Sequence, residues 1–277
     1  MRSPPAVKTV FVAWDHSVDE HKAELPTLIR GAGTHHAYTA RCAGGDDPDG
    51  PISEDLCTDI RQTDCLLAFL ERPNCNVMFE AGFALGVGKP IYLCVYSEQA
   101  DHRWTEAAKW LKGLPVRPLE DAAEDVNNFL RYDACVAGKG YTPPTPTAAA
   151  GKRPAILTLC PHRNPGRTAR ESIERHLADL MVLNRLDGSL TNQLQAIDHA
   201  EAVGWVIPFL TLDSRHRDHP ENAANAFLAG YARGTGKTLK LFQQTGVRLR
   251  TLLDIIDLPD HPWLNVNDLP DVIRRAW

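Results

Sequence analysis

Residues Asp64–Tyr96 read DCLLAFLERPNCNVMFEAGFALGVGKPIYLCVY. Cys65–Leu70 is an apolar run of strand length, Glu71–Cys75 is a polar loop, and a helix is expected from about Asn76. The chain then turns at Gly88-Lys89-Pro90 into a second apolar run, Ile91–Tyr96. That is a β-α-β unit. Parallel crossovers of this kind bury both strands and leave ligands outside the strands' carboxyl ends, where the loop and first helical turns lie. Glu80 falls in those turns. A carboxylate near a helix start feels the positive end of the dipole and is expected to stay ionised, as a nucleophile does. The plainer alternative is that Glu80 only helps the helix form.

Working outward, Thr9–Ala13 (TVFVA) is a first strand ending at Trp14-Asp15-His16-Ser17. The loop after the first strand of a doubly wound sheet also faces the ligand crevice. Trp14 is therefore a candidate for stacking on a base, and Asp15 and His16 for bonding a sugar or phosphate. The alternative for His16 is a solvated turn residue. Val18–Ile29 has a helical pattern, His36–Arg41 reads as a second strand, and Ser53 is placed to cap a helix that sets Leu56, Cys57 and Ile60 on one face. Beyond Tyr96, Pro115–Leu119 and a helix over Ala122–Tyr132 complete a five-strand pattern, with strand order 2-1-3-4-5 expected. Residues 138–154, GKGYTPPTPTAAAGKRP, have the composition of a linker.

The chain then repeats itself. Phe227–Lys237 (FLAGYARGTGK) matches Phe79–Lys89 (FEAGFALGVGK) at seven of eleven positions, with a constant offset of 148. Around it, Ala155–Leu159 echoes the first strand and Pro161-His162 echoes Asp15-His16. Arg167–Met181 reads as a helix, Trp205–Leu210 and Leu239–Gln243 as strands, and Leu269–Trp277 as the closing helix. The expected architecture is α/β, two tandem flavodoxin-like or Rossmann-like domains, each a parallel sheet of about five strands flanked by helices. Residues 7–137 form the first, 138–154 the linker and 155–277 the second. At Glu80 the second copy has Leu228, which has no nucleophilic group. Phe79, Ala81, Gly82, Gly86, Gly88 and Lys89, by contrast, recur or are conservatively placed, as packing and turns require.

The run NVMFEAGFALGVGKP, with its preceding strand and Asp64, resembles the nucleoside 2-deoxyribosyltransferase superfamily and, within the same broad group, TIR-like nucleotide-binding proteins, some of which cleave NAD. The resemblance implies that Glu80 is the catalytic glutamate and that a second acid stands in the helix before the motif strand. Asp55 matches that position, with Asp59 as its rival. Counting back from the following strand, the second copy is expected to carry Gln195 in place of Asp55. Where the family places a loop acid this chain has Asn74. Asn74 and Asn76 are substrate-binding candidates, with helix capping as the alternative. The resemblance further implies a nucleoside or nucleotide substrate, an N-glycosidic bond cleaved or transferred, and no metal or tightly bound cofactor. Family members pair subunits to complete a pocket, so the second copy is expected to act as an intrachain pseudo-dimer partner, with a further homodimer left open. TIR-like NAD cleavage and a non-catalytic nucleotide sensor are the competing readings.

Composition narrows the rest. A net charge of −5 with mixed signs gives no basic footprint for a nucleic-acid polymer, so a small molecule is the expected partner. Seven cysteines without a C-x-x-C pair fit reduced thiols rather than a disulfide frame or zinc site. No signal-like or membrane-spanning apolar segment is seen, and cytoplasmic residence is the expectation. Thr211–Ala223 contains His216, Asp218 and His219, but their spacing fits no standard metal site; a solvated loop or a lid over the first copy is expected. Gly234-Thr-Gly-Lys-Thr238 is not a P-loop, because Tyr231 stands where the motif needs its first glycine.

Overall fold

The computed structural model describes residues 8–14, 38–42, 54–70, 74–95, 116–118, 156–161, 166–178, 181–183, 189–207, 220–245 and 261–277. The first half contributes β1 (Lys8–Ala13), β2 (Tyr38–Cys42), α1 (Glu54–Gln62), β3 (Cys65–Phe69), α2 (Cys75–Gly86), β4 (Ile91–Val95) and β5 (Val116–Pro118). The second contributes β6 (Ile156–Leu159), α3 (Gly166–Leu177), β7 (Met181–Leu183), α4 (Leu190–His199), β8 (Ala202–Ile207), α5 (Pro220–Gly234), β9 (Thr238–Gln243) and α6 (Leu269–Ala276). The expected helices over Val18–Ile29 and Ala122–Tyr132, and the 138–154 linker, lie outside the described residues.

The chain is α/β with two parallel sheets. The first has five strands in the order β2-β1-β3-β4-β5 and the second four in the order β7-β6-β8-β9. Every pairing between these strands is parallel. In the second sheet a parallel bridge from Gln244 to Trp263 continues beyond β9, on the side where β5 stands beside β4 in the first. Trp263 is held there by its indole Nε1, which donates to the carbonyl of Phe242 at 3.1 Å.

Two boundaries differ from the sequence reading. The helix expected to reach Met181 ends at Leu177, and Met181–Leu183 forms the edge strand β7. Ile173, Leu177 and Met181 are spaced by four, so helical periodicity runs across the real boundary, and a three-residue strand is too short to show a period of two. The strand expected from Trp205 begins at Ala202, because pairing to both β6 and β9 carries the ladder through Gly204. A central strand covered on both faces tolerates that glycine.

The two halves share one apolar core. It includes Phe11, Leu66, Phe79 and Phe83 of the first half and Leu159, Trp205, Phe227 and Leu241 of the second. Its centre is the contact of α2 with α5. Helix α2 is apolar around nearly its whole circumference, buried at Cys75 and from Val77 through Leu85, which a helix tolerates only when covered on all sides. Glycines set the closeness of the pair. A Cβ on Gly82 would lie 1.9 Å from the Phe227 carbonyl oxygen, and one on Gly230 would lie 2.1 Å from that of Phe79. Gly86 and Gly234 repeat the arrangement one turn on, each 2.9 Å in the same sense from the other's Cα. The contacts exchange under the internal repeat, so the helices lie side by side in the same direction about a local two-fold.

The Gly-Lys turn is structural. Gly236 has φ 78° and its counterpart Gly88 has φ 81°, the left-handed region. In the second half this turn sends Lys237 Nζ back to the carbonyls of Asp198 (2.6 Å) and Ala200 (2.8 Å), capping the C-terminal end of α4. Lys237 is thus engaged with backbone carbonyls, in keeping with the rejection of a P-loop. No helix among the described residues is long and apolar enough to cross a membrane.

Candidate functional site

In the first sheet the chain reverses direction between β1 and β3, since β2 lies on one side of β1 and β3 on the other. The crevice outside the carboxyl ends of β1 and β3 is where such sheets bind ligands. Trp14 follows β1 directly and is buried. Ala13 pairs with Ala68, so Trp14 and Leu70 leave β1 and β3 at the same edge of the sheet. Helix α2 rises from that edge.

Asn74 is its N-cap. Its backbone is extended, at φ −97° and ψ 117°, and its Oδ1 accepts from the backbone N–H of Asn76 at 2.8 Å and of Val77 at 3.2 Å. The capping alternative therefore holds for Asn74, whose oxygen is committed to orphan helix donors. Asn76 is not spent in that way. Its side-chain Oδ1 is enclosed and receives no hydrogen bond.

One turn further along the same face, at i+4, stands Glu80, 3% exposed, with Oε2 enclosed and unpaired. Burial pushes its carboxyl from 4.5 up to about 8. This corrects the expectation of an ionised group. Glu80 is the sixth residue of α2, beyond the first turn where the helix dipole acts, so desolvation decides its charge. At neutral pH the resting side chain is mostly the neutral acid. The pair Asn76 and Glu80 thus offers two enclosed oxygens, one turn apart, that lack donors.

The second acid is placed only in part. Asp55 belongs to α1, with its side chain outside the described residues, and Asp59 lies one turn along the same face, half-buried. Helix α1 packs against α2, so either acid comes from a neighbouring element. Asp15 and His16 lie outside the described residues, as does 211–219 with His216, Asp218 and His219. Among the described residues no cluster of three His, Cys, Asp or Glu side chains is placed to hold a metal ion.

The strand registers revise one internal equivalence. Leu66 pairs with Ile91 and Val203 with Leu239, and Ile91 and Leu239 are related by the repeat. Leu66 therefore matches Val203, and the last residues of α1 and α4, Gln62 and His199, fall into step. Asp55 then corresponds to Asn192 rather than Gln195. The second half still has no acid there.

Sequence reasoning missed Asn222 and Asn225 at the start of α5. Both are buried, and all four of their side-chain amide atoms lack hydrogen-bond partners. The repeat itself carried the signal, since Asn225 stands where the first half has the buried Val77.

No family model matches the chain, and no curated protein does either. Among solved structures it is similar to one titled "Structure of A-type Ketoreductases from Modular Polyketide Synthase", at 13% identity over 87% of this chain and 79% of that one, with a TM-score of 0.31. A likeness that loose carries no argument about fold or chemistry.

Proposed function

We propose that this chain is a tandem duplication of a flavodoxin-like domain whose first copy cleaves or transfers the N-glycosidic bond of a nucleoside or nucleotide through Glu80. The observation that carries the reading is Glu80 itself: a buried carboxyl with an unpaired oxygen on the helix leaving the carboxyl edge of β3. A lone buried carboxyl is costly to keep, and the second copy keeps the helix while replacing the acid with Leu228.

A sugar supplies what the site lacks. Hydroxyl groups donating to Glu80 Oε2 and Asn76 Oδ1 satisfy both oxygens and favour the ionised form of Glu80, releasing its proton as substrate binds. The carboxylate then bonds to the anomeric carbon while the C–N bond breaks and the base leaves with the electron pair. Asp55 or Asp59 gives the base its proton, an effect typically worth about 10²–10⁴ in rate. Water, or a second base, opens the glycosyl ester and restores Glu80. Trp14 stands at the same edge to stack on the base. The second copy acts as the pseudo-dimer partner that fixes α2 through α5.

The test is an intact-mass measurement after rapid mixing with deoxyribonucleosides and ribonucleosides. A sugar adduct mapping to residues 76–89, absent in Glu80→Gln, is expected; an unmodified chain during demonstrated turnover removes the covalent step. The neutral resting state favours one second reading, a sensor in which Glu80 only donates a hydrogen bond to a bound nucleotide. That reading predicts binding without turnover.

A further inference from the structure

The second copy is not simply the first with its acid removed. Where Glu80 became Leu228, the buried apolar Val77 became Asn225, so polarity was lost at one position of the repeated helix and gained at another. Asn222 corresponds to Asn74, but because α5 begins earlier, at Pro220, it lies inside the helix and has no capping bond. Asn222 and Asn225 are three residues apart, on one face of α5. Phe227, Gly230 and Gly234 make the contact with α2, and helical spacing puts Asn225 on the opposite side of α5 and Asn222 on the flank beside it, while α5 also contacts β6 and β8. Trp205 of β8 belongs to the core on that side of the sheet, and its indole Nε1 is likewise enclosed and unpaired.

Four buried amide atoms without partners thus stand in the first turns of one helix, where a packed domain ordinarily tolerates few. Each buried amide left unpaired is unfavourable, and apolar residues of the same shape would be better in a purely structural role. We propose that the second half carries a binding site of its own, at the carboxyl ends of β6 and β8 under the first turns of α5, where Asn222 and Asn225 take an adenine base by its hydrogen-bonding edge. The chemistry of the groups names the ligand class. An asparagine amide offers one donor face and one acceptor face, the pair that matches N7 and the N6 amino group of adenine. The amides are sealed from solvent in this structure, so the base enters as the N-terminal turns of α5 move.

The experiment is equilibrium dialysis of radiolabelled adenosine and free adenine, with cytidine as control, against the full chain carrying Glu80→Gln, so that the first site consumes nothing. Saturable binding of adenosine and adenine is expected, weakened about tenfold or more by Asn225→Leu or Asn222→Leu. Hydrogen exchange on the unsubstituted α5 provides the second measurement, with adenosine expected to slow exchange across 221–229. Binding unaffected by both leucine substitutions, or no binding of either adenine compound, overturns the proposal. So does an exchange footprint that leaves 221–229 unchanged. Both measurements stand apart from the chemistry proposed at Glu80, which can fail while this site binds, or the reverse.

Discussion

The burial of Glu80 makes the stability of the chain depend on pH in a direction opposite to that of a paired carboxylate. Its carboxyl titrates near 4.5 when exposed and near 8 when folded. Below pH 4.5 both states hold the proton and the folded state keeps its full stability. As the pH rises the unfolded chain gives up its proton first, so stability falls through the interval and levels off only above pH 8. The slope approaches about 1.4 kcal/mol per pH unit, and the whole effect is on the order of 5 kcal/mol. Glu80→Gln keeps the shape and removes the titration, so the stability of wild type relative to this variant should decline steadily from pH 5 to pH 8. Urea denaturation followed by tryptophan fluorescence at pH 5.5, 6.5, 7.5 and 8.5 measures it. Parallel curves for the two chains over that range would refute the claim that Glu80 is buried without a charge partner.

Two further predictions concern the frame around the site. Gly230→Ala places a methyl group 2.1 Å from the Phe79 carbonyl oxygen, where backbone rather than a side chain must yield. The loss should reach or exceed the usual overpacking cost of about 1–3 kcal/mol, seen as a fall in Tm of several degrees at roughly 2–4 °C per kcal/mol. Gly88→Ala meets nothing within 4 Å and suffers only the left-handed backbone at φ 81°, so it should cost less, about 1–2 kcal/mol. The reverse order in calorimetry would contradict the helix pairing. Asn74→Ala removes the cap of α2 and should cost about 1 kcal/mol, whereas Asn74→Asp should retain most of it. Equal losses in the two variants would show that the amide nitrogen, not the capping oxygen, matters.

The β3-α2-β4 unit was legible in the sequence because each element carries its own local signal. Cys65–Phe69 and Ile91–Val95 are short apolar runs, and the Gly-Lys turn stands between helix and strand. The internal repeat separated the packing residues from Glu80, and the contacts of Gly82 and Gly86 with α5 bear out the assignment of those glycines to packing. The partner of that face was not legible, since nothing in FEAGFALG says that it meets its own duplicate. The charge of Glu80 escaped for a related reason: the helix dipole is local and can be read from position, but desolvation depends on what covers the side chain. Strand β7 escaped because three residues at a sheet edge carry too little pattern, and Ile173, Leu177 and Met181 imitate a continuing helix. Asn225 was readable in principle from its exchange with Val77, but its burial had to be seen before the exchange meant anything.

The most direct measurement is chromatographic product analysis of wild type and Glu80→Gln incubated with ribonucleosides, deoxyribonucleosides, their 5′-monophosphates and NAD, with and without a second free base. The account predicts that wild type releases or exchanges a base from at least one of these and that Glu80→Gln does not. Equal turnover by both chains, or none by wild type with a ligand still bound, would contradict glycosidic chemistry at Glu80.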